Sequence, residues 1–103
     1  MAKLSLIANP TFQAKVGIPV AGGEAVEVLV TFKHRTKTAL DEFIKSRADK
    51  SDADSFMAMV SGWDLTDEFT EENVETLLEN HIGAALAVYR MYVEELLASK
   101  IKN

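Results

Sequence analysis

Phe12-Gln13-Ala14-Lys15-Val16-Gly17-Ile18-Pro19-Val20-Ala21-Gly22-Gly23-Glu24-Ala25-Val26-Glu27-Val28-Leu29-Val30-Thr31-Phe32 keeps a period of two on both sides of a glycine pair. Phe12, Ala14, Val16, Ile18 and Val20 face one way, Gln13, Lys15 and Pro19 the other, and Val26, Val28, Val30 and Phe32 resume the alternation. That period belongs to strands, because successive side chains of an extended chain point to opposite faces. Ala21-Gly22-Gly23-Glu24 supplies two residues free to take positive φ, so the stretch reads as a β-hairpin. Pro19 has no amide hydrogen to give to a ladder, which puts an edge or a bulge near it. Leu29 falls among the outward positions Glu27, Thr31 and Lys33. A lone two-stranded hairpin is marginal in water, so its apolar face must cover helices or a partner. Leu4–Ile7 is a candidate third strand.

Downstream the period changes to that of helices. Thr36 or Thr38 starts the first, with Leu40, Phe43 and Ile44 as its buried stripe and Arg47 near its end. Asp49-Lys50-Ser51-Asp52-Ala53-Asp54 is a loop and cap, and a second helix runs from about Ser51 to Ser61. Phe56, Met59, Val60 and Trp63 are spaced i, i+3, i+4 and i+7, so the only tryptophan is expected to continue that stripe, with Gly62 as the break. Thr70 offers a hydroxyl to the free amides of a third helix, with Glu71 and Glu72 in its first turn, a start signal worth roughly 1 kcal/mol. That helix carries Val74, Leu77, Leu78 and His81, and Gly83 marks a break or kink before the last one.

The last helix, roughly Ala84 to Lys100, is apolar over a wide arc. Leu86, Tyr89, Val93, Leu96 and Leu97 form one stripe; Val88, Met91 and Tyr92 form part of a second. Such a helix is either central to its domain or shared with another subunit. The second stripe, together with outward Leu29, is therefore a candidate surface for coating an apolar helical client or joining copies, with core packing as the alternative. The sum is an α+β chain: an N-terminal β-hairpin packed on a bundle of about four helices. No internal repeat or linker divides it, so residues 1–103 read as one domain.

Composition bounds what such a chain does. Hydrophobic residues at 48% and charged residues at 26% are ordinary globular values, which argues against wholesale disorder. With no cysteine, a disulfide framework and thiolate chemistry are excluded. Residues 64 to 80 hold Asp64, Asp67, Glu68, Glu71, Glu72, Glu75 and Glu79 and no lysine or arginine, so a net charge of −5 conceals one strongly acidic segment. Phosphate contacts need Lys and Arg, so that segment suits a basic partner surface and not nucleic acid. The Met1–Ala8 run is too short for a secretory core, and Ala84–Tyr89, the longest apolar run elsewhere, is far below the ~18 residues of a membrane span. The expectation is a soluble, unexported protein that meets no membrane.

No constellation points to catalysis or to a cofactor. His34 and His81 belong to no close ligand pair; a strand-exit residue and a last-turn or core side chain are their simpler readings. Asp49, Asp52 and Asp54 fail the calcium-loop spacing for want of the glycine and the final glutamate. Asp64, beside the tryptophan, is the one carboxylate placed to draw attention as an acid or base. Lys33-His34-Arg35-Thr36-Lys37 concentrates positive charge where the hairpin enters the first helix. It is either a solvated junction or, through Lys33 and Arg35, a contact with the acidic segment of a neighbouring copy.

Taken as a set, Phe12 to Val20 with Ala21-Gly22-Gly23, Thr31-Phe32-Lys33-His34-Arg35-Thr36, Ser61-Gly62-Trp63-Asp64-Leu65 and Glu72-Asn73-Val74-Glu75-Thr76-Leu77-Leu78 resemble the tail assembly chaperones of long-tailed bacteriophages, most of all the group typified by phage HK97. The resemblance runs from Phe12 into the last helix. It implies a non-enzymatic assembly factor of the host bacterial cytoplasm, with no cofactor. Such a factor binds the long tape measure protein, keeps it soluble, helps recruit the tail tube protein, and is absent from the finished virion. The resemblance also implies a homo-oligomer and a longer, frameshifted form of the same chain, to which a chain ending at Lys100-Ile101-Lys102-Asn103 would be the short counterpart. The competing expectation is a structural head-to-tail connector or tail component retained in the virion.

Overall fold

The hairpin folds as its alternation requires. The computed structural model describes residues 1–98; Ser99 and Lys100, to which the sequence pattern carries the last helix, and the terminal 101–103 lie outside the described residues. Strand β1 (Thr11–Ile18) pairs antiparallel with β2 (Val26–Lys33), setting Phe12 opposite Phe32, Ala14 opposite Val30 and Val16 opposite Val28. These inner pairs meet the core. On the outer face Gln13 Nε2 donates to Thr31 Oγ1 at 3.2 Å, and Lys15 stands opposite Leu29. Gly22 takes φ +78° in the turn, the left-handed region in which a side chain is unfavourable.

The third strand is not at Leu4–Ile7, whose side chains stay exposed, but at β3 (Val60–Trp63), on the far side of β2. Sheet order is β1-β2-β3, antiparallel throughout. The helix expected to reach Ser61 ends early: α2 (Asp52–Met59) gives way at Val60, which turns extended at φ −115°, ψ 137°. Trp63 thus sits on a strand. The i, i+3 spacing of Val60 and Trp63 arises from a bulge: Phe32 pairs with Val60 and Thr31 with Gly62, leaving Ser61 over, so two residues three apart share the inner face.

The remaining elements are α1 (Lys37–Ser46), a 3-10 turn at Arg47–Asp49, α3 (Glu71–Asn80) and α4 (Ala84–Leu97). Each of α1, α2 and α3 starts at a hydroxyl cap, where Thr36, Ser51 and Thr70 accept from the amides of Ala39, Asp54 and Asn73. The fold is α+β, with three strands and four helices among the described residues and β3 between α2 and α3 in chain order. Helix α4 packs along β1, and α2 packs against α3, α4 and the sheet.

The core gathers Val16, Val28, Val30 and Phe32 of the sheet with Leu40, Phe43, Phe56, Met59, Val74, Val88 and Tyr92 of the helices. Fully burying one such side chain contributes about 1.5–3 kcal/mol. Ile44, expected inside, is partly exposed because only Leu40 and Phe43 of α1 reach the core. The Tyr92 ring lies 5.4 Å from that of Phe32 and 6.1 Å from that of Phe12, with Phe43 edge-on at 6.0 Å. Trp63 meets Phe69 edge-on at 5.1 Å and donates its indole N–H to the Asp67 carbonyl at 2.7 Å.

Candidate interaction surface

The residues singled out in the sequence fall into three environments. Val88 and Tyr92 are at 0% exposure, which makes them core and not surface. Of the two stripes of α4, the one containing them faces the sheet because Ala84, Val88 and Tyr92 repeat every four residues along β1. Met91 is half-buried against the core edge. In the other stripe Leu86 is 51% and Leu97 58% exposed, while Tyr89, Val93 and Leu96 are half-buried.

Lys33 and Arg35 hold the end of a helix within their own chain. The Lys33 Nζ donates to the Met57 carbonyl at 3.0 Å, and Arg35 Nη1 donates to the Ala58 carbonyl at 2.7 Å. Both carbonyls belong to the last turn of α2, where no following amide is placed to satisfy them and where the helix dipole favours cations. Asp52 and Asp54 occupy the opposite, positive end. The Arg35 guanidinium also stacks on Phe43, 4.5 Å from the ring centroid, and donates to the Tyr92 hydroxyl at 2.9 Å. Lys33 and Arg35 of the basic junction are therefore engaged with backbone carbonyls inside their own molecule.

Leu29 sits half-buried on the outer face of β2, level with Asp64. Its amide donates to Asp64 Oδ1 at 2.9 Å and its carbonyl accepts from the Asp64 amide at 3.1 Å, which prolongs the β2–β3 ladder. Asp64 thus serves the backbone. His34 leaves the strand with its amide on the Pro10 carbonyl at 2.9 Å, and His81 closes α3 as its C-cap, half-buried.

Two grooves and one apolar arm complete the surface. A groove of about 640 Å³ runs between Leu6 and Ile7 of the N-terminal segment, Leu40 of α1 and Leu96 and Leu97 of α4. A second, of about 520 Å³, lies between the Trp63–Asp67 turn and α3. Leu4, Leu6 and Ile7 are each more than four-fifths exposed. The signal for the arm was present, since the same three residues suggested a strand, but no strand of the described residues pairs with them.

Among the described residues no group of three or more His, Asp or Glu is placed to hold a metal ion, and no helix is long and apolar enough to cross a membrane. The family model for phage tail assembly chaperones matches residues 1–103. The chain belongs to the phage tail assembly chaperone family. No curated protein and no solved structure matches it. A tail assembly chaperone family points to interaction with tail proteins, and chaperones as a class are generally non-catalytic.

Proposed function

We propose that this tail assembly chaperone binds the tape measure protein, keeps that long client soluble and assists assembly of the tail tube around it, without catalysis. The observation that carries the proposal is the family match over residues 1–103. The exposed Leu4, Leu6, Ile7, Leu86 and Leu97 support it, because several modest apolar contacts repeated along an extended client give tight overall binding without one deep pocket. In this proposal the chaperone acts in the host cytoplasm as a homo-oligomer, alongside a frameshifted longer form of itself, and leaves before the virion is complete.

Co-expression with the long helical product encoded in the same tail gene cluster tests the central step. The client is expected in the soluble fraction only when this chain is present, and an equally insoluble client in both cases overturns the proposal. A mass-spectrometric inventory of purified virions tests departure. Stoichiometric recovery of the chain there would make it a structural connector or tail component instead.

A further inference from the structure

The acidic segment and the second groove coincide. Seven acids and no lysine or arginine lie between residues 64 and 80, and these residues form both the turn after β3 and helix α3. The groove between them has apolar walls at Trp63, Leu65 and Leu77, all half-buried, and an exposed carboxylate at Asp67. On α3 the positions that open into it, Asn73, Thr76, Leu77 and Asn80, follow helical spacing, so Glu72 and Glu79 stand next to them along one rim. Both are exposed. Lys33 and Arg35 of the basic junction are engaged with α2 carbonyls on another part of the molecule.

We infer that this groove docks a basic amphipathic helix of the client, its apolar side chains lying on Trp63, Leu65 and Leu77 and its lysines and arginines facing Asp67, Glu72 and Glu79. The inference rests on the proposed chaperone reading for the identity of the client, and on charge complementarity for the kind of segment. An acidic rim steers a basic segment and rejects an acidic one, since like charges brought together across an interface are repelled. The apolar walls then hold what the charges attract. A floor walled by tryptophan and leucine favours an apolar side chain over a hydrated one, so a segment carrying charge alone binds poorly.

The test titrates the full chain with three synthetic helices: an amphipathic Leu/Lys peptide, its Leu/Glu counterpart, and a Ser/Lys peptide of equal charge. The Leu/Lys peptide is expected to bind, more weakly as salt rises, and the other two at least about tenfold less. The double variant Asp67→Lys/Glu79→Lys is expected to lose Leu/Lys binding by about tenfold or more, whereas Asp41→Lys/Glu42→Lys on α1 leaves it unchanged. All four positions are exposed, and thermal unfolding verifies that both variants fold. Equal binding of all three peptides, or equal loss in both variants, overturns the inference. Client co-expression separates the two levels. If the Asp67→Lys/Glu79→Lys chain still solubilises the client as the unaltered chain does, the groove is wrong and the chaperone proposal stands. If the unaltered chain does not solubilise the client, the chaperone proposal fails, and the peptide titration still decides the groove.

Discussion

Arg35 and Tyr92, separated by 57 positions in sequence, meet in a 2.9 Å hydrogen bond from the guanidinium to the phenol oxygen. The same hydroxyl donates to the Lys33 carbonyl at 2.8 Å, so one buried oxygen joins α4 to the exit of β2. Arg35 in turn reaches the Ala58 carbonyl at the end of α2. Three elements distant in sequence are tied at one point, and the tie is polar inside an otherwise apolar core. Such a tie adds specificity of packing, because its hydrogen bonds are made only when the three elements are correctly placed.

Tyr92→Phe keeps the ring stack on Phe12 and Phe32 but leaves the Lys33 carbonyl without its donor and Arg35 without one acceptor. The expected loss is about 1–3 kcal/mol, the penalty for a buried polar group deprived of its partner. Urea unfolding reads it as a lower midpoint at unchanged slope. A change within about 0.5 kcal/mol, the range of an ordinary surface substitution, would mean that water replaces the hydroxyl at no penalty.

Val88 and Leu86 lie on the same helix with opposite fates, and a pair of serine substitutions separates them. Val88→Ser removes a fully buried side chain, leaves a void and introduces a hydroxyl; a loss of about 2 kcal/mol or more is expected. Leu86→Ser touches a side chain that is half in water and is expected to stay within about 0.5 kcal/mol. Thermal melts of the two purified variants decide the matter, and equal losses would contradict the orientation of α4.

What the sequence disclosed and what it hid follow from how local each signal is. The hairpin was legible because alternation and the Gly22-Gly23 turn are nearest-neighbour properties, and the cap at Thr70 because a hydroxyl acts on an amide three residues away, while the first cap stayed open between Thr36 and Thr38 and Ser51 lay within a predicted capping loop. The α2–β3 junction was not, since a bulged strand repeats the spacing of a helix over Val60–Trp63 and only pairing with β2 chooses between them. The orientation of α4 was hidden for a similar reason. A helix apolar on two sides carries no internal mark of which side meets the sheet, and Tyr92 is drawn inward by partners on β2. Lys33 and Arg35 looked like surface charge because their acceptors, carbonyls of Met57 and Ala58, are backbone atoms that no side-chain pattern announces. The groove beside α3 was half visible: its acids stood out in the sequence, its apolar floor only in the fold.

Gly22 offers a test of the hairpin that leaves every core contact in place. At φ +78° an added Cβ meets no neighbour within 4 Å, so Gly22→Ala introduces backbone strain and no clash. A loss of about 1 kcal/mol is expected, the ordinary penalty for an alanine in the left-handed region. Gly22→Asn should recover part of it, because asparagine tolerates that region better. Matching melting temperatures for the alanine variant and the unaltered chain would mean that the turn adopts a different conformation.

The caps supply the last prediction. Thr36 Oγ1 accepts from the Ala39 amide at 3.2 Å and Thr70 Oγ1 from the Asn73 amide at 3.1 Å, and the two share no hydrogen-bond partner. Thr36→Ala and Thr70→Ala should each lose about 1 kcal/mol, and the double variant their sum to within about 0.5 kcal/mol. The start of α3 has a second anchor, since Asn73 Nδ2 donates to the Glu68 carbonyl at 2.7 Å. If Thr70→Ala proves nearly neutral, that anchor alone holds the first turn, and Thr70→Ala/Asn73→Ala should then lose more than its single variants add up to. Denaturant midpoints of the four chains distinguish the cases, because two groups that act on one helical turn are coupled while caps on separate helices are not.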